Sequence, residues 1–255
     1  MSIKMIVTDL DGTLLRGDKT VSKYTWETLR KCRLKGLKVA YATGRGGSAQ
    51  HLAPSEMFDG RITMNGAIGK IGEDTVYNRL IPHQVARPIL IACHRRGMAI
   101  TSSITGMHYS GSAITGGWSH IPNYEIVDFM HHNIDAEKIC ISNPTPDDRE
   151  FIEQLLPESL YFVVTADYES NTLGQIMHKE ATKSKAVLEL ARIWGINQSE
   201  IVVFGDDFND IDMLQNCGIA VAMANAIPEV KAVADHICQS NDDDGVAKWL
   251  EENVC

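Results

Sequence analysis

The stretch that most constrains this chain is Asp9-Leu10-Asp11-Gly12-Thr13, set directly behind the short apolar run 3–7. A run of that kind reads as a buried strand. Two carboxylates spaced i, i+2 at a strand end are able to point into one crevice. In open α/β sheets that end is where ligands bind. An ordinary acidic turn is the plainer reading of these residues taken alone, and the remainder of the chain weighs against it.

Residues 22–35 carry an amphipathic helical pattern, with Ser22 as N-cap and Gly36 as the stop. Residues 37–42 are a second apolar strand ending in Thr43-Gly44-Arg45, and 62–64 a third, followed by Asn65-Gly66-Ala67. Strand and helix in alternation predict parallel β-α units. From about His83 to Lys179 the texture changes. Helices are predicted over 87–96, with Pro88 in the first turn, and over 147–156. Strands are predicted over 98–104, 107–110, 138–142, 161–165 and 173–177, the first two joined at Thr105-Gly106. Past Lys179 the first texture returns: helix 184–194, then strand 201–204 running into Gly205-Asp206-Asp207-Phe208-Asn209-Asp210. Short strands at 219–223 and 236–238 and helices at 228–234 and 245–251 complete it. The expectation is one α/β domain in two sequence pieces, 1–81 and 180–255, with an α+β domain of residues 82–179 inserted between them.

If the two acidic strand ends share a parallel sheet, Asp9, Asp11, Asp206, Asp207 and Asp210 converge on one rim. Uncompensated, they repel one another and their pKa values rise. A hard divalent cation resolves this, and an all-oxygen set without histidine favours Mg²⁺ over Zn²⁺. Mg²⁺ held by carboxylates keeps room for a phosphate oxygen. One carboxylate is able to attack phosphorus, and a second to protonate the leaving oxygen and then activate water. The phosphoryl oxygens need hydrogen-bond donors and positive charge around them. Thr43 offers a hydroxyl, Gly44 an approachable N–H, and Lys183 a cation at the start of a helix.

The charge balance agrees with local rather than global attraction of an anion: the net charge is -9 and the pI near 5.4. No basic patch of the kind nucleic acid needs is present. No apolar stretch approaches the roughly 20 residues of a membrane span, and residues 1–7 are too short for a signal-peptide core. Cys32, Cys93, Cys140, Cys217, Cys238 and Cys255 show no C-x-x-C and no metal-type spacing, so free thiols and a cytoplasmic location are expected.

Asp9-Leu10-Asp11-Gly12-Thr13, Ala42-Thr43-Gly44-Arg45, Lys183 and Gly205-Asp206-Asp207-x-Asn209-Asp210 stand in the order of the four motifs of the haloacid dehalogenase-like superfamily, which this chain resembles. Ala222-Met223-Ala224-Asn225-Ala226-x-Pro228-Glu229-Val230-Lys231 and Asp244-Gly245-Val246-Ala247 resemble strings of its Cof-type phosphatase branch. The insert falls between motifs two and three, where that branch carries its C2-type cap. The resemblance implies a Rossmann-like parallel sheet core and a cap that closes over the site. It makes Asp9 the nucleophile and a Mg²⁺ ligand. Asp11 becomes the general acid/base, its backbone carbonyl also on the metal. Thr43, Gly44 and Lys183 hold the phosphoryl group, and Asn209 bonds the phosphate or Lys183. Asp206 ligates Mg²⁺ directly, and Asp210 supports it through water. The branch's glycine after the motif-three lysine is Ser184 here, and its earlier glycine is Glu180, which leaves Lys179 and Lys185 as rivals to Lys183.

The expected function is Mg²⁺-dependent hydrolysis of a small phosphorylated metabolite, a sugar phosphate or phosphorylated cofactor, through an aspartyl-phosphate. The alternatives are a phosphomutase or phosphotransferase, and a non-catalytic phosphoryl-binding module. Asp207 is read as a solvated carboxylate, Asn65 as loop-shaping, and Arg45 equally as an ion-pair partner or a substrate contact. Trp118, His120, Tyr124, His131 and His132 are read first as core or surface, with a substrate pocket as the alternative. Oligomeric state and the specificity residues of the insert stay open.

Overall fold

The structure is a computed structural model and describes residues 2–113, 123–166 and 172–254; Trp118 and His120 lie outside these. The chain divides into two compact units, Met1–Asn78 with Thr182–Cys255, and Arg79–Ala181.

The first unit opens with β1 (Met5–Thr8), in which every residue is buried. Continuous burial marks a strand covered on both faces, as parallel sheets require. Helix α1 (Lys23–Leu34) begins where the Ser22 hydroxyl accepts from the Thr25 N–H, and it buries Thr25, Thr28, Leu29 and Cys32. Gly36, at φ +88°, takes the left-handed turn that ends it. Strand β2 (Lys38–Ala42), the single-turn α2 (Ala49–Leu52) and β3 (Gly60–Thr63) follow. The hairpin β4 (Ile68–Ile71) and β5 (Asp74–Asn78) is an addition to the expected elements. Its strands are short and half-exposed, so neither hydrophobic period emerges from them.

In the second unit α3 (His83–Arg95) starts a turn earlier than expected, at Pro82, which puts Pro88 inside the helix rather than in its first turn. Pro88 has no N–H to offer the carbonyl of Gln84. The buried stripe Ala86, Ile89, Leu90 and Cys93, at i, i+3, i+4 and i+7, holds the helix together across that gap. Then come β6 (Ile100–Ile104) and β7 (Met107–Ser110), joined through Thr105 and Gly106 at φ +50° and +82°. Positive φ at both turn residues matches the twist of a two-residue hairpin. Next are β8 (Tyr124–Ile126), β9 (Lys138–Ser142), α4 (Pro146–Leu155), β10 (Leu160–Ala166) and β11 (Thr172–His178). The six strands order β10-β11-β9-β6-β7-β8, antiparallel except β7 with β8.

The two faces of that sheet differ. Ile100, Ile139, Ile141 and Ile176 join Ala86, Ile89 and Leu90 of α3 in one apolar cluster. Cross-strand partners share a face, and the opposite face holds the register rows Thr101–Cys140–Gln175 and His108–Ser103–Lys138. His131 is exposed and pairs with Asp128, whereas His132 is buried beside Tyr109 and Phe129. These adjacent histidines face different surroundings, as neighbours on one strand of chain do.

The first unit resumes with α5 (Lys183–Ile193), β12 (Ile201–Gly205), α6 (Ile211–Asn216), β13 (Ile219–Ala222), α7 (Pro228–Val233), β14 (His236–Ile237) and α8 (Gly245–Asn253). Its sheet orders β14-β13-β12-β1-β2-β3-β4-β5, parallel from β14 to β3. This is the expected α/β architecture. β12 lies beside β1, although nearly two hundred residues separate them in the chain, with Thr8 registered on Phe204. That pairing closes the discontinuous unit and fixes what stands at its rim.

Cys93, Cys140, Cys217 and Cys238 are buried free thiols. Cys32 is disulfide-bonded, which corrects the expectation of free thiols throughout. Pairing depends on Cα proximity in the fold, which sequence spacing does not report. Among the described residues no helix is long and apolar enough to cross a membrane.

Candidate active site

Because β1 and β12 run parallel in register, their next residues, Asp9 and Asp206, emerge at the same edge. The Asp9 N–H donates to the Phe204 carbonyl at 3.0 Å, which carries the pairing one residue past the strand end. Asp9, Asp206 and Asp210 then offer carboxylate oxygens that all lie within 4.8 Å of one another.

Lys183 is drawn into this cluster. It stands in the first turn of α5, capped by Thr182, and is completely buried but for 1%. Its ammonium donates to Asp9 Oδ1 at 2.7 Å and to Asp210 Oδ1 at 2.6 Å. Lys179 and Lys185 are both exposed, so Lys183 is the lysine at the carboxylates. The other oxygen of Asp210 accepts the N–H groups of Asp206 (2.9 Å) and Asp207 (3.1 Å). With both oxygens committed, Asp210 orients the Asp206 loop and the lysine.

Asp206 accepts from the Thr13 hydroxyl at 2.7 Å. A Cβ on Gly12 would stand 2.1 Å from Asp206 Oδ2, and Gly12 sits at φ +75°. Glycine is therefore required there twice, by space and by backbone.

The electrostatics follow from burial. Desolvation pushes the Asp9 carboxyl well above its ordinary range; Lys183 pulls it down and Asp210 pushes it further up. Burial first, then repulsion from Asp210 and Asp207, lifts Asp206 to about 7 against the Thr13 hydrogen bond. Burial works against the charge of Lys183, but Asp210 and Asp9 more than compensate and raise its pKa. One ammonium shared between two buried carboxylates, with a third beside them, leaves the cluster short of positive charge. An oxygen-only cluster short of positive charge fits a hard divalent cation.

Asp11 is placed differently. Its carboxylate is outside that cluster, gripped by Arg45 through Nε to Oδ2 and Nη2 to Oδ1, and by Lys19 Nζ at 2.8 Å. Burial alone would raise its pKa; the hydrogen bonds from Arg45 and Lys19 outweigh that and lower it. Arg45 is thus an ion-pair partner. Lys19 is absent from the sequence-based candidates, because nothing in a loop lysine eight residues on signals that the chain doubles back.

The second motif leaves β2 at Thr43, which is buried and accepts the Arg45 N–H on Oγ1 at 3.1 Å. A Cβ on Gly44 would lie 2.9 Å from Asn65 Oδ1 and 3.5 Å from Asn209 Nδ2, so three loops meet there. Asn209 donates to Asn65 Oδ1 at 3.0 Å, while the Lys183 contacts go to Asp9 and Asp210 instead. Asn65 shapes its loop at φ +53° as expected, and also anchors Asn209. Asp207 is exposed and accepts the Phe208 N–H, capping the 3-10 turn Phe208–Asp210.

The profile of the haloacid dehalogenase-like hydrolase family matches residues 6–250. The chain belongs to the haloacid dehalogenase-like hydrolases. Among relatives, the 5-amino-6-(5-phospho-D-ribitylamino)uracil phosphatase YcsE of Bacillus subtilis is 30% identical over 264 residues, covering 100% of this chain and 97% of that protein. BT1666 of Bacteroides thetaiotaomicron, described among the phosphatases of the superfamily, superimposes with a TM-score of 0.84 at 26% identity, covering 98% of this chain and 95% of that one. The subclass IIB sugar phosphatase BT4131 gives 0.79 at 27% identity, with 98% of each chain covered. This haloacid dehalogenase-like protein is a phosphatase of the Cof-type branch.

Proposed function

We propose that the protein hydrolyses a small phosphorylated sugar or polyol with the help of Mg²⁺, through an aspartyl-phosphate on Asp9. The observation that carries this reading is the buried cluster itself: Asp9 and Asp206 within ligand distance of one another, with Lys183 fixed on Asp9 at 2.7 Å. The Asp9 and Asp206 carboxylates and the Asp11 carbonyl would hold the ion, with Asp210 behind them. When bound, Mg²⁺ supplies the missing positive charge and polarises the phosphoryl oxygens.

In this reading Lys183 keeps one Asp9 oxygen oriented, so that the other faces the phosphorus. Attack forms the Asp9 oxygen–phosphorus bond and breaks the ester bond, and the leaving oxygen takes a proton from Asp11. Water then attacks the phosphorus, giving its proton to Asp11, and Asp9 is restored as inorganic phosphate departs. The Thr43 hydroxyl, the Gly44 N–H and Lys183 surround the transferred group. Asp11 rests ionised in the grip of Arg45 and Lys19, so the cycle begins once it has left that grip and taken up a proton from solvent, and the proton received from the attacking water restores the acid for the next turnover.

The substrate class is supported by two relatives, named for a ribitylaminouracil phosphate and for sugar phosphates. The test is phosphate release from a panel of sugar, polyol and nucleotide monophosphates, with and without Mg²⁺, in wild type and Asp9→Asn. Mg²⁺-dependent release that Asp9→Asn abolishes is the expected result. An isomerised ester without free phosphate would move the assignment to a mutase, and binding without turnover to a phosphoryl-binding module.

A further inference from the structure

The two tail strings, residues 222–231 and 244–247, have no role in the chemistry above, yet both end against the acidic loop. Asn225 Nδ2 donates to the Gly12 carbonyl at 2.8 Å, and Asn225 Oδ1 accepts the Asn241 N–H at 3.1 Å. Asn241 Nδ2 donates to the Leu15 carbonyl at 2.8 Å. Asp242 accepts the Gly17 N–H at 2.8 Å. Asp244 accepts from Arg16 Nη2 at 2.8 Å and from the Thr25 hydroxyl at 3.1 Å. Residues 12, 15, 16 and 17 are thus each held from outside their own loop.

Asn225 joins the first string to Gly12 and to Asn241, which stands three residues before the second string. Its amide orientation is forced: the Gly12 carbonyl only accepts and the Asn241 N–H only donates. Its own position is fixed by the turn in which Ala226 N donates to Met223 O at 2.9 Å, and by Ile227 N donating to the Asp206 carbonyl at 3.0 Å. The same short segment therefore touches both acidic loops. The bond lands on Gly12, the motif residue with the greatest backbone freedom and a left-handed φ. The Gly12 peptide sits between Asp11 and the Thr13 hydroxyl that meets Asp206.

We propose that Asn225 is a positioning residue: it locks the Gly12 peptide and so sets Asp11 and Thr13 relative to Asp9 and Asp206. Its catalytic consequence rests on the phosphatase reading; its structural consequence does not. Asn225 is exposed and water is able to replace its bond to Gly12, so the effect falls on the order of the loop rather than on global stability.

Two variants separate the two bonds. Asn225→Ala loses both. Asn225→Asp keeps an acceptor for the Asn241 N–H but has no donor for the Gly12 carbonyl. Amide hydrogen exchange is followed at Thr13, Leu14 and Leu15, with Met5–Thr8 as the internal reference. Exchange about tenfold faster at the loop in both variants, with the strand unchanged, is expected. On the substrate found with wild type, kcat falls roughly 10- to 100-fold while KM stays within about twofold, because misplacement by an ångström costs rate rather than binding. Unchanged loop exchange, rescue by Asn225→Asp, equally faster exchange in the strand, or faster loop exchange with unaltered kcat would each overturn the proposal. If wild type releases phosphate from no compound, the phosphatase reading fails separately, and the exchange comparison still decides the clamp.

Discussion

Raising the pH of the metal-free protein should weaken it through Asp206, and Mg²⁺ should reverse the loss. The carboxyl of Asp206 is raised from 3.8 to about 7, chiefly by burial. A carboxyl whose folded pKa lies above its unfolded value binds more protons when folded. The stability this gives is full below the unfolded value and is lost as pH rises through about 7. The rise from 3.8 to about 7 corresponds to a ceiling of about 4 kcal/mol. Asp206 is only half-buried, so solvent screening reduces this to about 1–2 kcal/mol. At about 2–4 °C per kcal/mol for a chain of this size, Tm falls by roughly 2–8 °C from this residue alone. Asp206→Asn keeps an acceptor for Thr13 and removes the titration. The assay is calorimetric melting with a chelator at several pH values from about 5 to 8, in wild type and Asp206→Asn, repeated with saturating Mg²⁺. The variant should overtake wild type as pH rises without metal, and fall behind it with Mg²⁺ near pH 8. Parallel melting curves for the two proteins across that range would refute the burial argument. A wild-type Tm indifferent to Mg²⁺ at high pH would refute the ion.

Lys183→Gln leaves Asp9 and Asp210 buried with no cation between them. Removing one partner of a buried ion pair costs about 3–5 kcal/mol, so urea unfolding should show a loss of that order together with absent turnover; a variant as stable as wild type would mean the lysine is not shared as the 2.7 and 2.6 Å contacts indicate. Arg45→Met removes the larger of the two cationic grips that lower the Asp11 pKa. The limb of the kcat/KM profile governed by Asp11 should therefore move to higher pH, and an unmoved profile would show that Asp11 does not titrate in that limb.

How much of this could be read from the chain depends on the distance over which each signal acts. Asp9 and Asp206 were legible because each ends a continuous apolar run, and two such runs in a parallel sheet put their next residues on one edge. Lys183 was legible only as one of three lysines; what decides it is that α5 begins on Thr182 and turns that side chain inward, a packing fact with no local signature. The contacts of Asp11 were legible only in part: Arg45 could be read as an ion-pair partner without its acid being named, and Lys19 could not be read at all. Arg45 reaches it from the loop after β2, and Lys19 from the far side of its own loop. Neither spacing repeats a period of helix or strand. Pro88 misled for a related reason: proline at a first turn is the local preference, and an amphipathic stripe long enough to bury Ala86, Ile89, Leu90 and Cys93 overrides it. Asn225 marks the limit most sharply. Its string was conspicuous in the sequence, but its partner Gly12 lies 213 residues away, and a glycine carbonyl has no side chain by which a sequence could announce the bond. The loop after β1 thus carries its side-chain candidates in residues that can be read and its geometry in backbone groups that cannot. Substitutions at silent-looking asparagines of the tail should therefore report on the site as strongly as substitutions in the motif's own flanks.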